Sequence, residues 1–279
     1  MKGGYMFDDF VLSHRLALIQ VGRTRIRDNV IDKLFPVIWQ TDISPVPENI
    51  FRNSREAHLQ TMGVELHIAE LLNGFVGSLT PIERRLFEIV ILHRLNCLYT
   101  CLGSQNPIYH RAIVITGTMF QDRLARQLLD MDESQHGWMF VQGQQKSIAS
   151  HEWTIQFLGA CALARTIRAL IAIGTGRIYL SNILDDADFG VDLFISRGSR
   201  DFAISIKSQY TTTLMSVAPV PIRPLQPGQE KDIFNGAKLA EEYYNIPFIP
   251  LLAIVGRNGT QPFDLTLHKE DIETLRRWL

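Results

Sequence analysis

The sequence predicts an α/β protein in which a mainly helical N-terminal domain, residues 1–147, precedes a C-terminal core, residues 148–279. Three observations lead to this prediction. Hydrophobic residues recur at helical spacing in the first half of the chain. The polar stretch QGQQKS, residues 142–147, marks a change of pattern. After it, a helical pattern is followed by three strand patterns, a helix, a strand and a last helix.

The composition is that of a folded, globular protein. Of the 279 residues, 46% are hydrophobic and 20% are charged. This length suits one large domain or two modest ones, at roughly 100–200 residues per domain. The formal net charge of -1 gives no strong overall attraction to nucleic acid or to membranes, although a neutral protein can still carry a local basic groove.

Cysteine usage and the N-terminus predict a cytoplasmic location. Three cysteines, an odd and sparse number, fit free thiols in a reducing compartment, and no cysteine or histidine cluster has zinc-binding spacing. Asp8 and Asp9 occupy the place where a signal peptide has its apolar region. No apolar run reaches the roughly 18–20 residues of a membrane span, so we expect no membrane partner.

Helices dominate the predicted N-terminal domain. A helix start is indicated at Thr80-Pro81-Ile82-Glu83, where Thr caps the helix, Pro takes its first position and Glu follows three residues after the cap. The apolar segment that follows predicts a central helix. We predict further helices over 54–75 and 118–132, and a short strand over 106–117.

The pattern from residue 151 onward predicts the elements of the core in order. The first helix, 151–172, carries small residues that allow close packing on a sheet. Three strands follow, at 177–184, 190–196 and 201–209. After them come a Pro-rich loop at 217–228, a helix at 230–245, a strand at 248–256 and a final helix at 268–279.

Two of these strands place an acid and a base so that they can meet. In the second strand, Asp192 points away from the apolar residues on either side of it, because successive side chains alternate between faces. In the third strand, Ser205, Lys207 and Gln209 share one face. Antiparallel pairing across the turn RGSR, 197–200, can therefore bring Asp192 and Lys207 together. A carboxylate there can hold a divalent cation, and a lysine beside it can orient a water or offset the charge of a phosphate.

This arrangement resembles the PD-(D/E)xK nuclease superfamily, which includes restriction endonucleases and archaeal Holliday-junction resolvases. The resemblance covers about residues 151–256 and implies a restriction endonuclease-like αβββαβ core. It rests on Asp192 in FGVDLFI, on Ser205-Ile206-Lys207 in AISIKSQ and on Glu152 of the first helix.

By this resemblance, the site is catalytic and binds magnesium, with manganese as an alternative cofactor. Asp192 would ligate the metal, the Ile206 carbonyl would be a further ligand, and Lys207 would serve the attacking water. Glu152 matches an acid that many members place on this helix, where it would be a second metal ligand. Gln209 matches a polar position often found two residues after the lysine.

The sequence departs from the family at Ser205, where most members have Asp, Glu or Gln. A neutral hydroxyl binds a metal more weakly than a carboxylate does. Some restriction enzymes of the superfamily also have S-x-K and recruit a glutamate from the next helix, and here that helix offers Glu230. Glu230 or Glu152 would then supply the second acid; otherwise the site is weak or inactive.

The resulting expectation is a metal-dependent endodeoxyribonuclease that hydrolyses phosphodiester bonds in DNA. The N-terminal domain would select the substrate or contact a protein partner, and a homodimer is a further assembly that we consider. The alternative is a catalytically inactive nuclease-fold protein that binds nucleic acid or serves as an assembly module, which Ser205 favours. A third hypothesis is an unrelated α/β protein in which Asp192 and Lys207 form an ordinary salt bridge.

Overall fold

The helices and strands lie in the residues that a computed structural model of the chain describes: 24–53, 57–73, 79–103, 106–174, 177–181, 183–209, 215–219, 229–256, 263 and 265–279. These residues form two compact units, one that ends at Ala160 and one that runs from Cys161 to Leu279. The division falls inside a helix of 24 residues, Ser150–Ile173. The boundary predicted from the sequence is 147/148, and it rests on the polar stretch QGQQKS. In the structure this stretch forms the end of the preceding helix, His136–Lys146.

The first unit is built from helices. A π-helical turn, Val30–Leu34, and a 3-10 turn, Glu133–Gln135, each lead into one of them. The helices are α1 (Phe35–Gln40), α2 (Asn49–Asn53), α3 (Ala57–Leu72), α4 (Pro81–Gly103), α5 (Ile108–Asp130), α6 (His136–Lys146) and the first part of α7 (Ser150–Ile173).

The start of α4 follows the sequence signal. The Thr80 N–H donates to Glu83 Oε2 at 2.9 Å and the Glu83 N–H donates to the Thr80 hydroxyl at 3.4 Å, which confirms the predicted capping box. The Arg27 guanidinium also donates to both Glu83 oxygens, at 2.7 and 2.6 Å. Burial alone would raise the pKa of Glu83, but the hydrogen bonds from Arg27 and Thr80 outweigh it and lower the pKa to about 2.

The segment 106–117, predicted as a strand, lies in helix α5, so this prediction is wrong. Its β-branched run favours extended structure when the segment is considered alone. The buried side chains nevertheless recur at helical spacing along the whole helix, as Tyr109, Ala112, Thr116 and Phe120 show. The predicted helix over 118–132 is the second half of the same element.

The second unit contains a five-stranded mixed sheet, so the predicted α/β class is confirmed. The strands are β1 (Arg177–Leu180), β2 (Leu193–Arg197), β3 (Arg200–Gln209), β4 (Met215–Pro219) and β5 (Phe248–Gly256), in the spatial order β1-β2-β3-β5-β4. β1, β2 and β3 are antiparallel neighbours, β5 runs parallel to β3, and β4 pairs antiparallel with β5. The helices are the second part of α7, α8 (Ile183–Phe189), α9 (Gln229–Tyr244) and α10 (Lys269–Trp278).

Two elements of this unit were not predicted from the sequence. The first strand ends at Leu180 rather than at residue 184, and the short helix α8 follows it. Gly190, at φ 64°, ends α8, and its N–H donates to the Asp186 carbonyl at 3.0 Å. The predicted Pro-rich loop begins with β4, which reaches Pro219 at the edge of the sheet, the position in a sheet that tolerates proline.

The sheet is covered on both faces. On one face, Phe194, Ala203 and Phe248 pack with Ala237 and Ala240 of α9. The side chains of the other face are at most 5% exposed in β2 and β3: Leu193, Ile195, Phe202, Ile204 and Ile206.

A buried ion pair links two helices of this unit to the sheet. Arg165 of α7 donates to Asp271 of α10, with 2.5 Å between Nη2 and Oδ2. Nη1 of the same arginine donates to the carbonyl of Gly256 at the end of β5, at 3.1 Å. The two side chains are 6% and 0% exposed, so their charges are compensated by each other and not by water.

Two of the described helices, α4 and α7, have the length and the apolar composition of a membrane span. The sequence shows no uninterrupted apolar run in them, because charged residues such as Arg84 and Arg168 break the runs. Both helices are mostly buried inside the protein. Core helices of soluble proteins share these properties, so the finding assigns neither helix to a membrane.

Gly236 of α9 lies against the end of α8, and we predict that Gly236→Ala destabilises the protein. A Cβ built at this position would lie 1.7 Å from the carbonyl oxygen of Phe189, a backbone atom that cannot move aside. The clash should lower the free energy of unfolding by about 1–3 kcal/mol, against a gain of about 1 kcal/mol in helix propensity. Chemical denaturation measures the change. The exposed neighbour Asn235→Ala is the control, and a Gly236→Ala protein as stable as this control would contradict the close approach.

Candidate active site

A tight turn fixes how β2 and β3 pair. The turn consists of Gly198 and Ser199, between the paired residues Arg197 and Arg200. Gly198 has a φ of 61°, the left-handed conformation that two-residue hairpin turns require at this position. The turn sets the register in which Leu193 lies opposite Ile204, and Asp192 is the residue immediately before this pair.

Asp192 extends the pairing of β2 with β3 by one residue, through its backbone N–H and through its side chain. Its N–H donates to the Ile204 carbonyl at 2.9 Å. Its carboxylate oxygen Oδ2 accepts the Ile206 N–H at 2.7 Å. The residue is only 7% exposed, so the carboxylate is held inside the protein, at the start of β2, by a hydrogen bond from the backbone of β3.

Burial makes the Asp192 carboxylate electrostatically unusual. Loss of hydration raises its pKa above the ordinary value of 3.8, and the charge of Lys207 and the hydrogen bond from Ile206 oppose this increase without cancelling it. Lys207 is half-buried and follows Ser205 by two residues, so it projects from the same face of β3. A carboxylate whose charge is only partly compensated is a site where a bound cation would be favourable.

Ser205 fixes the backbone that leads into Asp192. Its hydroxyl donates to the carbonyl oxygen of Gly190 at 2.5 Å, and the residue is 1% exposed. The proton of this hydroxyl is therefore used within the protein. A carboxylate at position 205 would face the Gly190 carbonyl, another acceptor, so the geometry here suits a serine better than the acid of the family motif.

Ile206 and Gln209 differ in how closely they approach this carboxylate. The side chain of Ile206 is buried on the opposite face of the sheet, and its N–H is the donor to Asp192. Gln209 is exposed at the last position of β3, opposite Gly256. It lies four residues beyond Ser205, roughly 13 Å along an extended strand. The structure therefore brings Ile206 to the carboxylate and leaves Gln209 at the strand end.

The two candidate second acids lie in the first turns of helices. Glu152, in α7, belongs to the helical unit, where its charge acts on Cys97. Burial raises the pKa of the Cys97 thiol to about 11, and Glu152 adds to this increase. Glu230 lies in the first turn of α9, but its side chain is outside the described residues.

The donor set around Asp192 is small. Among the described residues, no group of three or more His, Cys, Asp or Glu side chains is arranged to hold a metal ion. Magnesium, however, is commonly bound by one or two carboxylates together with waters and substrate phosphates. The Asp192 carboxylate and the Ile206 carbonyl fit a site of this kind, in which the substrate would complete the coordination.

Sequence reasoning did not identify two further polar features. Gly190 supplies the carbonyl that Ser205 binds, and the signal for it is a glycine that ends a short acidic segment, DDADF. The second feature is His93, which is fully buried between Ser147 and Gln156 in the helical unit. Its sequence signal is its position directly after the apolar run IVIL in α4.

Comparisons of the chain with known proteins found no match among protein-family models, curated proteins or solved structures. The assignment of a function therefore depends on the geometry and electrostatics of the residues themselves.

The raised pKa of Asp192 predicts a pH-dependent effect of Asp192→Asn on stability. The pKa of Asp192 is higher in the folded protein than its ordinary value of 3.8 in the unfolded chain. Its contribution to the free energy of unfolding is therefore fully present below pH 3.8 and is lost as the pH rises through the pKa of the folded state. Asparagine cannot ionise and avoids this loss. In chelator, the free energy of unfolding of Asp192→Asn relative to wild type should therefore increase with pH, by about 1.4 kcal/mol per unit of pKa shift.

Lys207→Met provides the matched variant for this measurement. Removing the ammonium takes away the attraction that opposes the increase, so the pKa of Asp192 should rise further. The decrease in the free energy of unfolding with rising pH should then continue to a higher pH in Lys207→Met than in wild type. In the double variant, Asp192→Asn should abolish this pH-dependent decrease. Parallel pH profiles for wild type and Asp192→Asn would contradict the electrostatic account.

Proposed function

We propose that the second unit is a nuclease core of the PD-(D/E)xK type and that the chain is a magnesium-dependent endodeoxyribonuclease. The observation that carries the proposal is a buried carboxylate, Asp192, on the same face of one hairpin as Lys207, whose charge acts on it without fully compensating it. Burial outweighs the charge of Lys207 here, because the carboxylate lies inside the protein and the hydrogen bond described for it comes from the Ile206 N–H.

The order of the elements also supports the proposal. Helix α7 precedes three antiparallel strands, β1, β2 and β3, and helix α9 precedes β5, which runs parallel to β3. This is the αβββαβ order that the resemblance implies, with α8 and β4 as additions. A fold of this order hosts many activities, so the order supports the function only together with the site.

Each residue of the site has a distinct proposed role. Asp192 would hold the metal ion, and the Ile206 N–H would keep the carboxylate in a fixed orientation. Lys207 would orient the attacking water and offset the charge that develops on the phosphate. Ser205, through Gly190, would position the chain that carries Asp192. Bound magnesium would lower the pKa of a water molecule and polarise the phosphodiester.

The second candidate function is a nuclease-fold protein that binds DNA or assembles a complex without cutting. The observation that favours it is the single carboxylate at the described site, together with the use of the Ser205 hydroxyl inside the protein. A lone carboxylate holds a divalent cation weakly unless another group completes the site. The two candidates differ in catalysis and in the expected partner, which is DNA in the first and nucleic acid or protein in the second.

Cleavage of supercoiled plasmid DNA tests the proposed activity. We predict nicking or linearisation with magnesium or manganese and none with chelator. Asp192→Asn and Lys207→Gln should each lower the cleavage rate by about 10²–10³, the usual cost of losing one strong electrostatic contact at a reacting centre. Lys269→Gln, which removes an exposed lysine from α10, should cut at the wild-type rate. If Asp192→Asn cuts as fast as wild type, the site is elsewhere; if wild type binds the plasmid without cutting, the binding function is favoured.

A second acid is predicted at Glu152, because its position in the first turn of α7 matches the family position. Under single-turnover conditions with saturating magnesium, Glu152→Gln should slow the chemical step by about 10²–10³, and Glu230→Gln should not. Glu270→Gln, an exposed acid of α10, is the control for the lost charge. The titration of Cys97 gives an independent readout, since removing the charge of Glu152 should lower the pKa of this thiol from about 11. A wild-type cleavage rate together with a lowered thiol pKa would exclude Glu152 as the ligand.

A further inference from the structure

The helical unit contains a cavity that the proposed nuclease site does not involve. Its volume is about 240 Å³, and its apolar lining comes mainly from Trp39, Ile43, Leu98 and Ile148. A dry apolar cavity of about 150 Å³ holds one benzene molecule in an engineered protein. This cavity therefore has room for an aromatic ring with a short chain attached. Ile148 is 100% exposed at its rim, so an apolar ligand would also cover a side chain that now faces water.

The charged groups of the lining are both cations, Arg94 and Lys146. Arg94 is partly buried and donates through Nη1 to the carbonyls of Ile38 and Thr41, which leaves most of its five N–H donors for other partners. The charge of Asp42 also reaches it. Lys146 is exposed and has no hydrogen-bond or ion-pair partner within the described part of the chain. The charged side chains of the lining itself are therefore positive, while the acids Asp42 and Glu152 act on Arg94 and Cys97 from outside the lining.

A buried donor in the cavity wall lacks an acceptor. Trp39 is 8% exposed, and its indole Nε1 has no hydrogen-bond partner among the residues that the structure describes. Its ring is fixed by edge contacts to His93 and Trp153, with centroids 6.1 and 5.7 Å away. A buried N–H without a partner costs about 1–3 kcal/mol. This nitrogen is buried from the cavity as well as from solvent, so Trp39 offers a ligand an apolar wall and not a donor.

The remaining polar groups of the lining point to binding and not to reaction. The Gln156 amide nitrogen donates to Asn96, so its oxygen accepts from His93 Nδ1, and His93 Nε2 then accepts the Ser147 hydroxyl at 2.6 Å. This resembles an activated serine, but burial lowers the pKa of His93 to about 4, which makes it a weak base. The neighbouring Cys97 remains a thiol, because its pKa is about 11.

We propose that this cavity binds a small aromatic or branched apolar carboxylate, with the apolar body against Trp39 and Leu98 and the carboxylate at Arg94 and Lys146. The carboxylate supplies the negative charge that the two cations attract. The site is a ligand-binding site of the helical unit, and it is independent of cleavage at Asp192.

Calorimetry of the full chain with 4-phenylbutyrate and with the uncharged 4-phenyl-1-butanol tests this inference. The two probes share an apolar body and differ in charge, so the acid should bind about tenfold more tightly than the alcohol. Lys146→Gln, an exposed change that leaves the fold intact, should reduce this preference. Trp39→Phe reduces the aromatic wall and should weaken binding of both probes by a similar factor.

Lys33→Gln is the control, because this exposed lysine belongs to the same unit and does not line the cavity. It should leave both affinities unchanged. Equal affinity for acid and alcohol, an effect of Lys33→Gln as large as that of Lys146→Gln, or no saturable binding of the acid would each overturn the proposal. Loss of DNA cleavage in Asp192→Asn has no bearing on these outcomes, so the two sites are tested separately.

Discussion

The register of the β2–β3 hairpin is the constraint on which the candidate site depends. Gly198 and Ser199 leave no freedom in how the strands align, and a slip of one residue would move Asp192 to the opposite face of the sheet. The alignment places the Asp192 carboxylate where the Ile206 N–H can reach it. In this hydrogen bond the Asp192 side chain takes the place of a backbone carbonyl, and it thereby brings a charge to the end of an interior strand.

A buried carboxylate of this kind is a cost to the fold. The raised pKa of Asp192 means that the ionised form is less stable here than in water, even with Lys207 nearby. An apolar residue or an asparagine would avoid this cost. Groups held in unfavourable electrostatic states are concentrated at functional sites, where a ligand or a substrate provides the missing compensation. The physical argument for function at Asp192 is therefore that the surrounding protein compensates the charge of its carboxylate only in part.

The sequence predicts those features that depend on local chemistry. The cap at Thr80 and Glu83, the strand β5 and the shared face of Ser205 and Lys207 all follow from short-range patterns. Features set by distant contacts are not predictable in this way. The strand β4 exists because β5 offers it an edge, and the role of Ser205 depends on a carbonyl fifteen residues away in the chain. The β-branched run in 106–117 is helical because the buried side chains recur at helical spacing over the whole of α5. Packing of this face outweighs the local preference of the run for a strand.

The charge balance of the proposed nuclease site links metal binding to DNA binding. One carboxylate and one ammonium cancel, so Asp192 and Lys207 together offer a divalent cation no net negative charge. A DNA phosphate would supply that charge and coordinating oxygens at the same time. Affinity for the metal should therefore rise when DNA is bound, and by thermodynamic reciprocity affinity for DNA should rise by the same factor when the metal is bound. A second acid at the site would weaken this coupling, because it would hold the metal before the substrate arrives. The strength of the coupling thus reports how many carboxylates the site contains, independently of the rate of cleavage.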